Sequence, residues 1–139
     1  MQRELVESGS KEFDVLVLDA FSGDAIPVHL LTAEAFDLYA QHLRDDGILA
    51  IHISNLFIDL GPVIRAAAER LGKYAMLIES EDERWYESHN DWVLVSSNRD
   101  FLDAPKVASM QTAWPDDRPR RIQWTDDFSN VLQLIEWRD

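Results

Sequence analysis

Phe13 to Leu18 (FDVLVL) is an almost unbroken apolar, β-branched run, and it reads as a strand covered on both faces within a parallel sheet. Asp19 ends it, and a turn-rich stretch runs from Phe21 to Pro27. Thr32 then stands where it can cap a helix, because Phe36, Tyr39, Ala40 and Leu43 recur at i, i+3, i+4 and i+7. That helix is expected to stop near Asp45-Asp46-Gly47, with Gly47 in the left-handed cap. Ile48 to Ile53 (ILAIHI) reads as a second buried strand. Pro62 in a first turn and Gly72 just past a last one bracket a second helix with Val63, Ala67 and Leu71 on one face.

Tyr74 to Ile78 reads as a third strand and Trp92 to Ser96 as a fourth. The two lie close enough to pair as an antiparallel hairpin across the acidic, aromatic connection Glu79 to Asp91. Beyond them the pattern turns irregular: residues 101–124 hold three Pro and two Trp, and an apolar segment, Val131 to Trp137, closes the chain. The order β-α-β-α-β-β argues for an open α/β sheet with right-handed crossovers. No internal repeat or low-complexity tract interrupts it. Only twelve residues precede Phe13, although the run looks like a central strand, so one of its edges is expected to lack a partner. An apolar edge of that kind invites pairing with another chain, which makes a homodimer, or a fragment cut from a longer parent, the expectation.

Composition narrows the function classes. The chain has 139 residues, room for one domain, and 46% of them are apolar. Against 26 acidic residues stand 13 Lys plus Arg, a net charge of −13 that repels nucleic-acid phosphate and anionic lipid alike. No run approaches the roughly 18 apolar residues of a membrane span, and MQRELVESGSK has no apolar signal core. The absence of cysteine removes disulfides and thiolate chemistry and is compatible with a reducing, cytoplasmic setting.

In open α/β sheets ligands bind beyond the carboxyl ends of the strands, where Asp19 and the pair Ser54-Asn55 fall. A carboxylate at that edge can accept a proton from an amine or hold it; Asp19 is equally able to cap a turn. Asp24 could add a second anion toward a cationic substrate, or be a solvated turn residue. His52 ends the second strand and shares a face with Ser54 by alternation, so it reads either as a satisfied half-buried ring or as part of the site, with Asn55 in reach of a ligand. The remaining histidines, 29, 42 and 89, have no metal-binding spacing, and no metal is expected. Thr125-Asp126-Asp127 makes a good helix N-cap. The acidic group Glu79, Glu81, Asp82, Glu83 and Glu87 and the cluster Arg118, Arg120 and Arg121 read as solvated surface. Ser22 lies outside any G-x-S-x-G elbow. The glycines, at 9, 23, 47, 61 and 72, form neither G-x-G-x-x-G nor a phosphate loop, so the part of a nucleotide-handling fold that grips the cofactor is missing from these residues.

At FDVLVLDAFSGDAIPVHLLT, then LRDDGILAIHISN and later WTDDFSN, the chain resembles the spermidine synthase-like proteins, in particular the bacterial branch often fused to membrane segments. The resemblance runs from about Leu5 to Ile135. It implies a class I methyltransferase (Rossmann-like) fold of which these residues are the carboxyl-terminal half, strands 4 to 7 with flanking helices, in a single partial domain over 1–139 that lacks the glycine-rich loop. It further implies aminopropyl transfer from decarboxylated S-adenosylmethionine to a diamine such as putrescine. Asp19 matches the carboxylate that positions and deprotonates the attacking amine, and Asp24 resembles the second acid of that loop. The spacing departs from the family's D-S-S-D, being five residues here rather than three. Ala20 and Phe21 would border the adenosyl side, and Asp126-Asp127 match a block without an assigned role. With the cofactor loop absent, this chain is expected to bind no donor and to be inactive alone, the donor being a co-substrate of a longer parent. Two rivals stand beside this reading: an S-adenosylmethionine-dependent methyltransferase acting on another small nucleophile, and a non-catalytic oligomerisation module.

Overall fold

The computed structural model describes residues 2–20, 27–54, 58–80, 90–115 and 122–130. Helix α1 (Gln2–Ser8) leads into strand β1 (Phe13–Leu18); after a 3-10 turn at Val28–Leu30 come α2 (Ala33–His42), β2 (Leu43–His52), α3 (Gly61–Arg70), β3 (Tyr74–Ile78) and β4 (Trp92–Ser96). Two one-turn helices follow, α4 (Arg99–Leu102) and α5 (Pro105–Ala108), in a stretch whose prolines suggested irregular chain. Asn98 explains the first, since its side chain accepts from Phe101 N, and Pro105 opens the second.

The strands form one sheet in the order β1-β2-β4-β3. β1 runs parallel to β2, and β4 is antiparallel to both neighbours. The expected pairing of the third and fourth strands is present, with β4 also inserted against β2. Its residues Val93 and Val95 are therefore fully buried, as in a central strand. The core lies between the sheet and helices α2 and α3: Phe36 and Tyr39 from α2, Val63, Ile64 and Ala67 from α3, and Leu49 and Ile51 from β2, closed by Leu60 and Trp124.

Three expectations are corrected by the packing. The α2 helix ends at His42 and β2 starts at once, so Asp45-Asp46-Gly47 belongs to the strand. Gly47 is not left-handed; the positive-φ glycines among the described residues are Gly9 and Gly72, the latter just past α3 as expected. A side chain at 47 is nonetheless disfavoured, because a Cβ there would meet Arg44 O, Leu43 Cδ2 and Phe13 O at 3.0 Å, so each would have to give by a few tenths of an ångström. Crowding from the start of β2 itself and from Phe13 of β1, rather than backbone sign, is the reason.

The third correction concerns β1. Leu16 and Leu18 pack against the core, but Phe13, Val15 and Val17 on the other face are 41%, 51% and 54% exposed. The apolar run is thus covered on one face only, and β1 is an edge strand of the described sheet. The opposite edge, β3, is partly occupied: Thr112 bridges to Leu77, its N–H donating to Leu77 O at 2.8 Å.

Candidate functional site

Parallel pairing brings the carboxyl ends of β1 and β2 side by side, with Leu18 opposite Ile51. One residue further along, Asp19 and His52 meet: Asp19 Oδ1 lies 2.9 Å from His52 Nδ1. The carboxylate side chain is 62% exposed and the imidazole 20%. Since β4 runs antiparallel to β2, its first residue arrives at the same end, and Trp92 pairs with His52. The two rings stand with centroids 4.9 Å apart and planes tilted by 34°.

Behind the rings a polar relay holds Trp92 in place. Trp92 Nε1 donates to Asn90 Oδ1 at 2.8 Å, and Asn90 N donates to Ser80 Oγ at 2.9 Å. Ser80 N in turn donates to Asp91 Oδ1 at 3.3 Å. Ser54 joins this scaffold, its Oγ accepting from Asp91 N at 2.7 Å, while Ile53 N donates to Asp91 O at 2.8 Å. Its hydroxyl oxygen is thereby engaged in fixing the end of β2 to the approach to β4.

Of the residues singled out in the sequence, Asp19 and Ser54 occupy the carboxyl edge as expected, and Ala20 follows Asp19 as an exposed residue. Phe21, Asp24 and Asn55 lie outside the described residues, as do Ser22, His89, the acidic residues 81–87, the three arginines at 118, 120 and 121, and the segment from Val131 to Trp137. Asp126 belongs elsewhere. Its Oδ1 accepts from the Thr32 hydroxyl at 2.7 Å and its N–H donates to Glu34 Oε2 at 3.1 Å. Thr32 itself caps α2 by accepting from Ala35 N. The Thr125-Asp126-Asp127 block therefore forms a tight turn, with Thr125 N donating to Phe128 O at 2.8 Å, that braces the start of α2.

Beside this brace lies a cleft of about 1020 Å³, lined among others by His29, Thr32, Glu34, Tyr39 and Asp126; it includes neither Asp19 nor His52. Tyr39 donates its hydroxyl to Leu30 O at 3.0 Å, and burial pushes its phenol up to about 12.

Pattern reading did not pair Asp19 with His52 and did not raise Trp92. The signal for the pair was the placement of both at strand ends, but adjacency of the two strands and their register are long-range facts.

Scanned against protein-family models, the sequence matches none, and no curated protein matches it. Among solved structures the chain is similar to the "probable spermidine synthase" of Corynebacterium glutamicum ATCC 13032, with a TM-score of 0.53 at 18% identity over 79% of this chain and 41% of that one. The fold is spermidine synthase-like. The spermidine synthase of Thermotoga maritima also matches, with a TM-score of 0.46 and 17% identity over 85% of this chain and 39% of that one. So does a spermidine synthase in complex with the transition state analogue AdoDATO, with a TM-score of 0.45 and 17% identity over 85% of this chain and 38% of that one. The chain spans well under half the length of each of these structures. The likeness agrees with the expected carboxyl-terminal half of a methyltransferase-like sheet with flanking helices.

Proposed function

We propose that this chain supplies the amine-handling part of an aminopropyl-transfer site of the spermidine synthase kind. Decarboxylated S-adenosylmethionine is the donor substrate and a diamine such as putrescine the acceptor. The observation that carries the reading is the carboxylate of Asp19 at the carboxyl end of β1, half in solvent and hydrogen-bonded to His52, in the position where open α/β sheets receive ligands. An anion there orients the attacking nitrogen. It also stabilises the positive charge that the nitrogen acquires as its lone pair forms the new C–N bond and the C–S bond of the sulfonium breaks toward sulfur. Asp24 adds a second negative charge toward the far ammonium of the diamine; Ser54 and Asn55 border the acceptor, and Ala20 and Phe21 the adenosyl side. The sequence contains no glycine-rich loop, so the main grip on the donor comes from polypeptide outside these 139 residues. The absence of cysteine fits a reducing compartment, and we place the chain in the cytoplasm; among the described residues no helix is long and apolar enough to cross a membrane.

Calorimetric titration of the 139-residue chain with decarboxylated S-adenosylmethionine tests the division of labour. No micromolar binding is expected, and micromolar binding would show a self-sufficient donor site. Product analysis with a longer parent containing these residues tests the reaction. Methylthioadenosine is expected; S-adenosylhomocysteine would replace the reading by methyl transfer, and neither product would leave a non-catalytic module.

A further inference from the structure

The ring of His52 stands between two fixed partners, Asp19 on one side and the Trp92 indole on the other. We infer that His52 is a second working residue of this site, its Nε2 taking the proton from the incoming ammonium while Asp19 sets the ring's tautomer. The inference rests on the amine reading above and deepens it.

A carboxylate is an acceptor only, so the hydrogen in the 2.9 Å contact belongs to His52 Nδ1. A neutral imidazole with Nδ1 protonated carries its lone pair on Nε2. Among the described residues, the hydrogen bond to Asp19 is the one that His52 makes, which leaves Nε2 without a competing donor. Trp92 limits the ring's rotation from the flank, and it is itself tied down through Asn90 and Ser80. The arrangement therefore has an orienting carboxylate, an oriented base and an accepting atom that meets no donor among the described residues, as in other carboxylate–imidazole pairs that activate nucleophiles.

Proton balance is simple. The ammonium R–NH3+ gives one proton to Nε2, which leaves a neutral amine with its lone pair and an imidazolium whose new charge faces the Asp19 carboxylate. The ionisable groups described at this end of the sheet include Asp19 after β1, Glu79 after β3 and Asp91 before β4, and of these Asp19 is the one hydrogen-bonded to the His52 ring. Asp91, one residue from Trp92, points to the other side by strand alternation, and its carboxylate accepts from Ser80 N. Asp19 is thus the anion that governs the ring.

Nitrogen-15 NMR of the imidazole in the intact 139-residue chain reads the tautomer directly. At mildly alkaline pH, His52 is expected to hold the Nδ1–H form over the Nε2–H form by about tenfold or more, the scale of a hydrogen bond to a charged acceptor. Asp19→Ala should collapse that preference to a mixture, and Asp19→Asn, which retains an uncharged acceptor, should weaken it less. Added putrescine should shift the Nε2 resonance in the unaltered chain and leave it still in Asp19→Ala. A dominant Nε2–H form, or a tautomer indifferent to Asp19→Ala, overturns the inference. If the tautomer fails while putrescine still moves resonances around Asp19, the amine reading survives and the part given to His52 does not. If the tautomer behaves as expected but putrescine moves nothing, the amine reading falls and takes the accepting role of Nε2 with it.

Discussion

Asp19 and Tyr39 show how differently two ionisable residues use their surroundings. Asp19 sits at a strand end, more than half exposed, and few contacts of the fold depend on it. In a parent that carries out the proposed reaction, Asp19→Asn keeps the shape and removes the anion. Turnover should fall about 10²- to 10⁴-fold, the range for a positioned acid or base, with the thermal midpoint nearly unchanged. Unaltered turnover would make Asp19 a turn residue. Tyr39 is buried in the core, and its phenol is raised to about 12 from an ordinary 10 because burial disfavours the phenolate. Between these values the unfolded chain loses the proton and the folded chain keeps it, so stability falls as pH rises. The contribution is intact below pH 10 and about 2–3 kcal/mol of it is gone by pH 12. Urea unfolding between pH 9 and 12 should show a loss that Tyr39→Phe flattens.

Among the elements, α2 depends most visibly on chain far away in sequence. Thr32 is 1% exposed, accepts from Ala35 N and donates to Asp126 Oδ1, while Ala33 N donates to Trp124 O at 2.8 Å. A local N-cap is thereby clamped by the turn at 124–128. Thr32→Val retains the shape and removes the hydroxyl's bonds to Ala35 N and Asp126 Oδ1 along with its longer contact to His29 O, so it should cost about 1–2 kcal/mol in urea unfolding. Asp126→Ala, which removes only the outer partner and leaves the cap, should cost less. An equal or larger loss for Asp126→Ala would place the stabilisation in the turn rather than in the cap. The cap itself is legible from Thr32 and the apolar spacing that follows. Its partner is not, because Thr32 and Asp126 lie 94 residues apart and no local pattern joins them.

At the scale of the whole molecule, β1 presents an edge and an apolar face, with Phe13, Val15 and Val17 between 41% and 54% exposed. Pairing of this edge with a second copy would satisfy the backbone groups left unpaired in the described sheet and cover the face. A net charge of −13 opposes that association, so added salt should favour it by screening. Sedimentation at rising protein concentration is expected to show a monomer–dimer equilibrium that strengthens with salt, and Val15→Lys with Val17→Lys should shift it to monomer. A clean monomer at high concentration and high salt would mean that the edge is not self-complementary.

The sequence by itself determined the kinds and order of the elements from β1 to β4, since each strand run and the spacing of α2 and α3 are written in neighbouring residues, whereas α1, α4 and α5 were not read from it. The apolar spacing of α2, the Pro62 and Gly72 brackets of α3 and the β-branched runs of the strands all reappear in the structure. Tertiary structure alone decided what depends on distance. It set where α2 yields to β2, because pairing of Leu43 with Phe13 draws the chain from 43 onward into the sheet, and it placed β4 between β2 and β3. It also decided that Asp19 touches His52, since residues 33 positions apart meet only when parallel register aligns their strand ends.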